Sequence, residues 1–159
     1  MEMFEVSDLL NPSDNALFEE VLSRTEEKVD QFDDYTEGIR TLPHAVQVFY
    51  VTTLYEMEVN NGGLCQFFVN SSREFAPVLA GYLGEIGASE HKALFEAFVH
   101  DNDIDVNDLS SFIIDELDGF ETQAKRYPFD DFDDAFYAMK PIEELIVPYI
   151  RAHIEEFRR

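Results

Sequence analysis

The feature that most restricts this chain is the apolar stretch that opens at Pro43 and runs to Asn60. Val46, Tyr50, Leu54 and Met57 recur there at intervals of four, four and three residues, the period of one helical face. Val48, Val51, Tyr55 and Val59 fill a second face. A helix that is apolar on two faces has to be central, with other elements packed around it. Thr41 is its expected cap, and Gly62-Gly63 stops it near Asn60.

Helical spacing continues on both sides. Asn11-Pro12-Ser13 opens a first helix with Leu17, Phe18, Val21, Leu22 and Val29 inward. A short third helix runs from Gly63 to about Ser71 and carries Leu64, Phe67 and Phe68. A fourth spans Phe75 to about Ile86, with Pro77 in its first turn and Gly87 at its end. Ser89 caps a fifth, which presents Leu94, Phe95, Phe98 and Val99. Asn107 or Asp108 opens a sixth with Leu109, Phe112, Ile113, Leu117 and Phe120 inward. The last begins near Asp130–Asp134 and carries Phe136, Met139, Ile142, Leu145, Ile146, Tyr149 and Ile150, with interruptions or kinks at Pro141 and Pro148. Strand alternation does not persist anywhere. The expected fold is all-α, a single-domain bundle of about seven helices with short connections. No linker divides residues 1–159. An acidic N-terminal helix (1–40) precedes a hydrophobic core (41–92), an acidic segment (93–139) and a C-terminal helix (140–159).

Charge narrows the function classes. Thirty-four Asp and Glu face eleven Lys and Arg, a formal net charge of -23. Fifteen Phe and seven Tyr exclude a disordered acidic tail, which lacks the aromatics to offset chain entropy. So negative a field repels nucleic acid and anionic membrane and attracts basic protein surfaces. It is also unevenly laid out. Residues 1–40 hold 12 acids and 3 bases, residues 41–92 hold 5 and 2, residues 93–139 hold 13 and 2, and residues 140–159 hold 4 and 4. The neutral centre is therefore flanked by acids. Cys65 is the only cysteine, which rules out an intrachain disulfide and fits a reducing cytoplasm. MEMFEVSDLL lacks the basic and apolar regions of a secretory signal, and no run approaches the roughly 20 apolar residues of a membrane span.

Catalytic and metal chemistry find little support. Asp101, Asp103 and Asp105 resemble the start of a calcium loop, but positions 6 and 12 are Val106 and Phe112, where Gly and Glu are required. Glu96 and His100 share a helical face without a third ligand. Cys65 sits among Leu and Phe, a packing environment, and His44, His91, His100 and His153 are scattered. Gly62-Gly63 is too short for a phosphate loop. No cofactor, no metal and no enzymatic activity are expected.

The remaining motif is the polar run around the glycine pair. Asn60, Asn61, Gln66 and Asn70 lie in the most hydrophobic stretch, and buried amides need partners. They either tie a helix–glycine–helix corner together or line a small polar pocket, the one place a small-molecule or enzyme reading has support.

The run "EVNNGGLCQFFVNSS" resembles the signature of the bacterial DNA mimic proteins of the nineteen-kilodalton class. The pieces that carry the resemblance are Asn60, Asn61, Gly62 and Gly63, then Gln66, Phe67 and Phe68, then Asn70 and Ser71. It is best over about residues 44–100 and continues more weakly through "FDDFDDAFYAM" and "PYIRAHIEEF". Arg73 departs from the pattern, which favours a small residue there. The resemblance implies an all-helical fold, a homodimer, and carboxylates that imitate DNA phosphates toward a basic DNA-binding protein such as a helix-turn-helix transcription factor. A hydrophobic strip on the C-terminal helix suits the dimer.

The carboxylates for that role are most densely supplied by Asp101, Asp103, Asp105, Asp108, Asp115, Glu116, Asp118, Glu121, Asp130, Asp131, Asp133 and Asp134. Asp115, Asp118 and Glu121 have the helical spacing that sets neighbours about 5–6 Å apart. A second reading stays open: an acidic helical interaction or regulatory protein whose partner does not bind DNA.

Overall fold

The computed structural model describes residues 13–158, and everything among them is helix, turn or loop. The α-helices are α1 (Asp14–Val29), α2 (Tyr35–Arg40), α3 (His44–Val69), α4 (Ala76–Glu85), α5 (Ser89–Asp101), α6 (Gly119–Ala124), α7 (Phe129–Ala138), α8 (Ile142–Ala152) and α9 (Ile154–Phe157). Short 3-10 turns at Ser71–Phe75 and Ser110–Phe112 complete the set. The fold is all-α, as the periodicity requires.

α3 is the axis. Its buried residues point in every direction, from Val46 and Val48 to Tyr55 and Phe68, and α4, α7, α8 and α9 pack on it. Tyr55 is fully buried, with Phe67, Phe95 and Phe136 meeting its ring edge-on at 5.3, 6.0 and 5.8 Å. Such edge-to-face pairs add to the burial of large apolar surface. At the other end Phe49 packs between Phe18 and Phe157. Thr52 sits inside because its hydroxyl donates to the Val48 carbonyl at 2.7 Å.

α3 changes direction at the expected place. Gly62 (φ -148, ψ 18) and Gly63 (φ 77, ψ 177) leave helical geometry. Gly63 adopts a conformation essentially closed to other residues. A Cβ there would also meet the Asp133 carboxylate at 2.2 Å. The residues after the pair, Leu64 to Val69, return to helix.

Several expectations are corrected. Ser13 does cap α1, its side chain accepting from the Ala16 N–H at 3.3 Å, while Asn11 and Pro12 lie outside the described residues. Thr41 does not cap α3: it closes α2, its hydroxyl bound to the Gly38 carbonyl, and Pro43 holds the N-cap position instead. Ser89 is the first residue of α5 and Ala88 precedes it as cap. Arg73 lies in the 3-10 turn, where no positive φ calls for a small residue, and its guanidinium donates to the Val69 and Asn70 carbonyls.

The largest correction is the sixth helix. Only Ser110–Phe112 turns, Ile113 is extended (ψ 128), and α6 starts at Gly119. Leu109 and Phe112 are buried as expected, but Ile113, Leu117 and Phe120 are exposed, Leu117 completely. The C-terminal helix is three pieces, with Pro141 as the N-cap of α8. α8 then runs through Pro148.

Candidate partner-binding surface and the corner behind it

The polar run around the glycine pair folds onto one carboxylate. Glu58 accepts hydrogen bonds from the Gln66 amide, from Asn70 at 3.0 and 3.1 Å, and from the Ser72 hydroxyl at 3.1 Å. Asn61 donates to the other end of Gln66 at 3.0 Å. The glycine bend is what lets residues 8, 12 and 14 positions downstream reach Glu58. Ser71 donates to the Tyr35 hydroxyl at 2.9 Å, Phe67 and Phe68 are core, and Asn60 is exposed. An open trough of about 610 Å³ runs beside Leu54, Met57 and Asn60. Glu58, Asn61 and Gln66 of the corner form part of its lining, with both ends of the Gln66 amide bonded to Asn61 and Glu58. Glu58 and Ser72 were not among the expected residues, although Glu58 opens the quoted run.

Three further carboxylates cap helices from across the fold, where backbone N–H groups have no partner in their own helix. Glu56 accepts from the Ile142 and Glu143 N–H groups that start α8, the latter at 3.0 Å. Asp133 accepts from Leu64 N–H at 2.9 Å, restarting α3 after the bend. Glu156 accepts from Ala45 N–H at 2.8 Å, at the start of α3. Burial raises the Glu56 pKa above the ordinary carboxyl value, and its two backbone bonds oppose that rise. Burial is also the main cause of a raised Asp133, with Asp130 and Asp134 adding like-charge repulsion. The Cys65 thiol is pushed up to about 11 by burial first and Asp133 second, so it is an inert core group.

The structure therefore splits the twelve expected acids. Asp133 is half-buried and spent on the corner. Asp101, Asp103, Asp105, Asp108, Asp115, Glu116, Asp118, Glu121, Asp130, Asp131 and Asp134 are exposed. One aromatic cluster joins the segments next to Asp101, Asp108, Asp130 and Asp131. Phe98 of α5 stacks on Phe129 of α7 at 5.3 Å and meets Phe132 at 5.4 Å. Phe112 stacks on Phe68 at 4.9 Å and lies 5.8 Å from Tyr127. Asp101 follows Phe98 by one turn, Asp108 precedes Phe112, and Asp130 and Asp131 adjoin Phe129. On α7, Asp130 and Asp134 are one turn apart. Asp115 and Asp118 precede α6 in irregular chain, so the helical spacing expected with Glu121 does not form there.

Few cations answer these charges. Lys125 pairs with Glu121 at 2.9 Å. Arg126 is held by the Ser111 carbonyl and Gln123, over the rings of Phe112 and Tyr127. His100 touches Asp101 at 3.2 Å. Asp108 accepts from the Ser110 hydroxyl and N–H, which lowers its pKa. Asp103 takes a left-handed conformation (φ 51) that closes α5. Among the described residues, no base pairs with Asp115, Glu116, Asp118, Asp130, Asp131 or Asp134. Among them, too, no group of three or more His, Cys, Asp or Glu is placed to hold a metal ion, and no helix is long and apolar enough to cross a membrane.

Residues 40–153 match the protein family described as DMP19-like protein. That span takes in the glycine corner and all twelve acids and leaves out α1. No curated protein and no solved structure matches the chain.

Proposed function

The chain belongs to the DMP19-like protein family, the family of DNA mimic protein 19, and from that premise we propose that it binds a DNA-binding protein and covers its DNA-reading surface. The observation that carries this reading is the set of exposed, mostly unpaired carboxylates at residues 101–134, carried on segments joined by one aromatic cluster. Duplex DNA presents one charge per roughly 1.7 Å of its axis, or about 3.4 Å along each strand; carboxylates one helical turn apart, about 5–6 Å, are sparser on a single helix, so the imitation draws on the acids of several segments together. Each carboxylate would stand where a phosphate stands, opposite Arg and Lys of the partner. Binding is competition, with no bond made or broken, so the protein acts without catalysis and without a cofactor. A helix-turn-helix transcription factor offers a basic surface of this kind, and the chain acts in the cytoplasm as a homodimer.

A second reading has one specific observation in its favour. Ile113, Leu117 and Phe120 are exposed among Asp115, Glu116, Asp118 and Glu121. Exposed apolar side chains interleaved with acids also suit a regulatory partner that never touches DNA.

The two readings separate in one assay. Proteins from the source cell are captured on the immobilised chain, eluted with salt, and each eluted protein is tested for duplex binding in the presence of the chain. A DNA-binding protein that elutes at moderate salt and loses its duplex to the chain supports the mimic. A captured partner that resists salt and has no affinity for DNA overturns it in favour of the second reading.

A further inference from the structure

An open trough of about 460 Å³ runs between α4 and α5, within the range of about 300–1,000 Å³ typical of ligand sites. Ala76 and Ala80, one turn apart on α4, form one wall. Phe95 and Val99, one turn apart on α5, form the other, and Ile104 and Val106 close the end. The two alanines keep that wall low. Glu96, His100 and Asp103 stand at the rim, and Asp101 and Asp105 adjoin it in sequence. An apolar floor with walls repeating at one helical turn matches the side-chain repeat of an amphipathic helix laid along it. The rim sets the sign of that helix. Glu96 and Asp103 at this rim disfavour an acidic helix, so the homodimer contact lies elsewhere and the occupant here is basic.

We propose that this trough receives the apolar face of a basic amphipathic helix of the partner. The inference rests on the reading that the acidic surface engages a basic protein, and it adds the means of choosing among basic proteins. One or two aliphatic side chains seat between Ala80 and Val99, while flanking Lys or Arg residues meet Asp103 and compete with Lys92, which pairs with Glu96 at 3.7 Å, for the Glu96 carboxylate. Phosphate imitation alone is indifferent to sequence. An apolar seat beside the carboxylates discriminates by what it buries.

Two helical peptides of equal length and charge provide the test. One carries a Leu stripe opposite its lysines and the other has Ser in place of Leu. Both are titrated into the full chain at low salt while its methyl resonances are followed. The Leu peptide is expected to bind at least about tenfold tighter, the scale of burying one large apolar side chain. Its shifts should centre on Ala76, Ala80, Val99 and Ile104. Ala80→Phe, which fills the trough, should erase the difference at unchanged melting temperature, and Glu96→Gln should weaken both peptides. Equal affinities, or shifts centred on other methyls such as Leu117, overturn the trough and leave the acidic surface standing. Binding of neither peptide overturns both.

Discussion

The glycine corner and the 101–134 surface use the same functional group for opposite ends. At the corner and at the nearby start of α8, Glu58, Asp133 and Glu56 turn inward, and every one has backbone or side-chain donors to accept from. On the surface, Asp115, Asp118, Asp130 and Asp131 turn outward, and no base pairs with them among the described residues. A carboxylate half out of water survives only when donors replace the lost hydration. One left in water costs little alone, but a crowd of them repels itself and weakens the compact state. The first group should therefore govern stability and the second binding, with little overlap.

That division can be broken from either side. The largest effect is expected at Gly63→Ala, where a left-handed backbone and a Cβ against Asp133 act together; the loss should be about 3 kcal/mol or more, read by chemical denaturation. Glu56→Ala leaves one buried and one part-buried N–H group at the start of α8 without an acceptor and should cost about 2–3 kcal/mol. Glu58→Ala, which strands Gln66, Asn70 and Ser72, should cost about 1–2 kcal/mol, less because the hub is only half-buried. If either carboxylate can be removed without loss, the inward group is not structural. Conversely, Asp115→Asn, Asp118→Asn, Asp130→Asn and Asp131→Asn together should leave stability within about 0.5 kcal/mol or raise it slightly by relieving repulsion. The smallest effect is Asp103→Gly, which relieves a left-handed residue and should be neutral or stabilising by a few tenths of a kcal/mol, at roughly the cost of one surface charge.

A pH series sharpens the same contrast. The Glu56 pKa is raised on folding, above its ordinary 4.5, so the folded chain holds that proton more tightly than the unfolded one. Its contribution is fully present below about pH 4.5 and is lost as the pH climbs through the raised value. The melting-temperature advantage of the wild type over Glu56→Gln should therefore shrink from pH 4.5 toward neutrality. An advantage that grows with pH would show that the two backbone bonds outweigh burial.

The helical period exposed the axis of the fold because α3 is buried on all sides, which forces apolar residues onto every face. The glycine stop was legible for a similarly local reason, since a pair of glycines is a poor way to continue a helix. What escaped is long-range. The caps from Glu56, Asp133 and Glu156 reach across 86, 69 and 111 residues, and no local spacing marks an acid as inward. Asp133 reads like its neighbours Asp131 and Asp134, yet only it meets Leu64. The sixth helix, expected but not formed, has a different cause. Ile113, Leu117 and Phe120 carry helical spacing, but the Ser111 carbonyl is taken by Gln123 and Arg126, and the chain leaves helix at Ile113. Tertiary bonds overrode a local pattern that had little burial to reward it. The contacts of Phe68, Phe98, Phe112 and Phe129, which join distant segments, were likewise beyond local spacing.

The most direct test takes a DNA-binding protein captured by the chain, loads it with labelled duplex, and follows anisotropy as the wild type or the fourfold Asn variant is added at increasing salt. The wild type should release the duplex at low salt and lose that power steeply as salt rises, while the variant, folded and equally stable, releases little at any salt. A variant that displaces the duplex as well as the wild type would contradict the assignment of binding to the outward carboxylates.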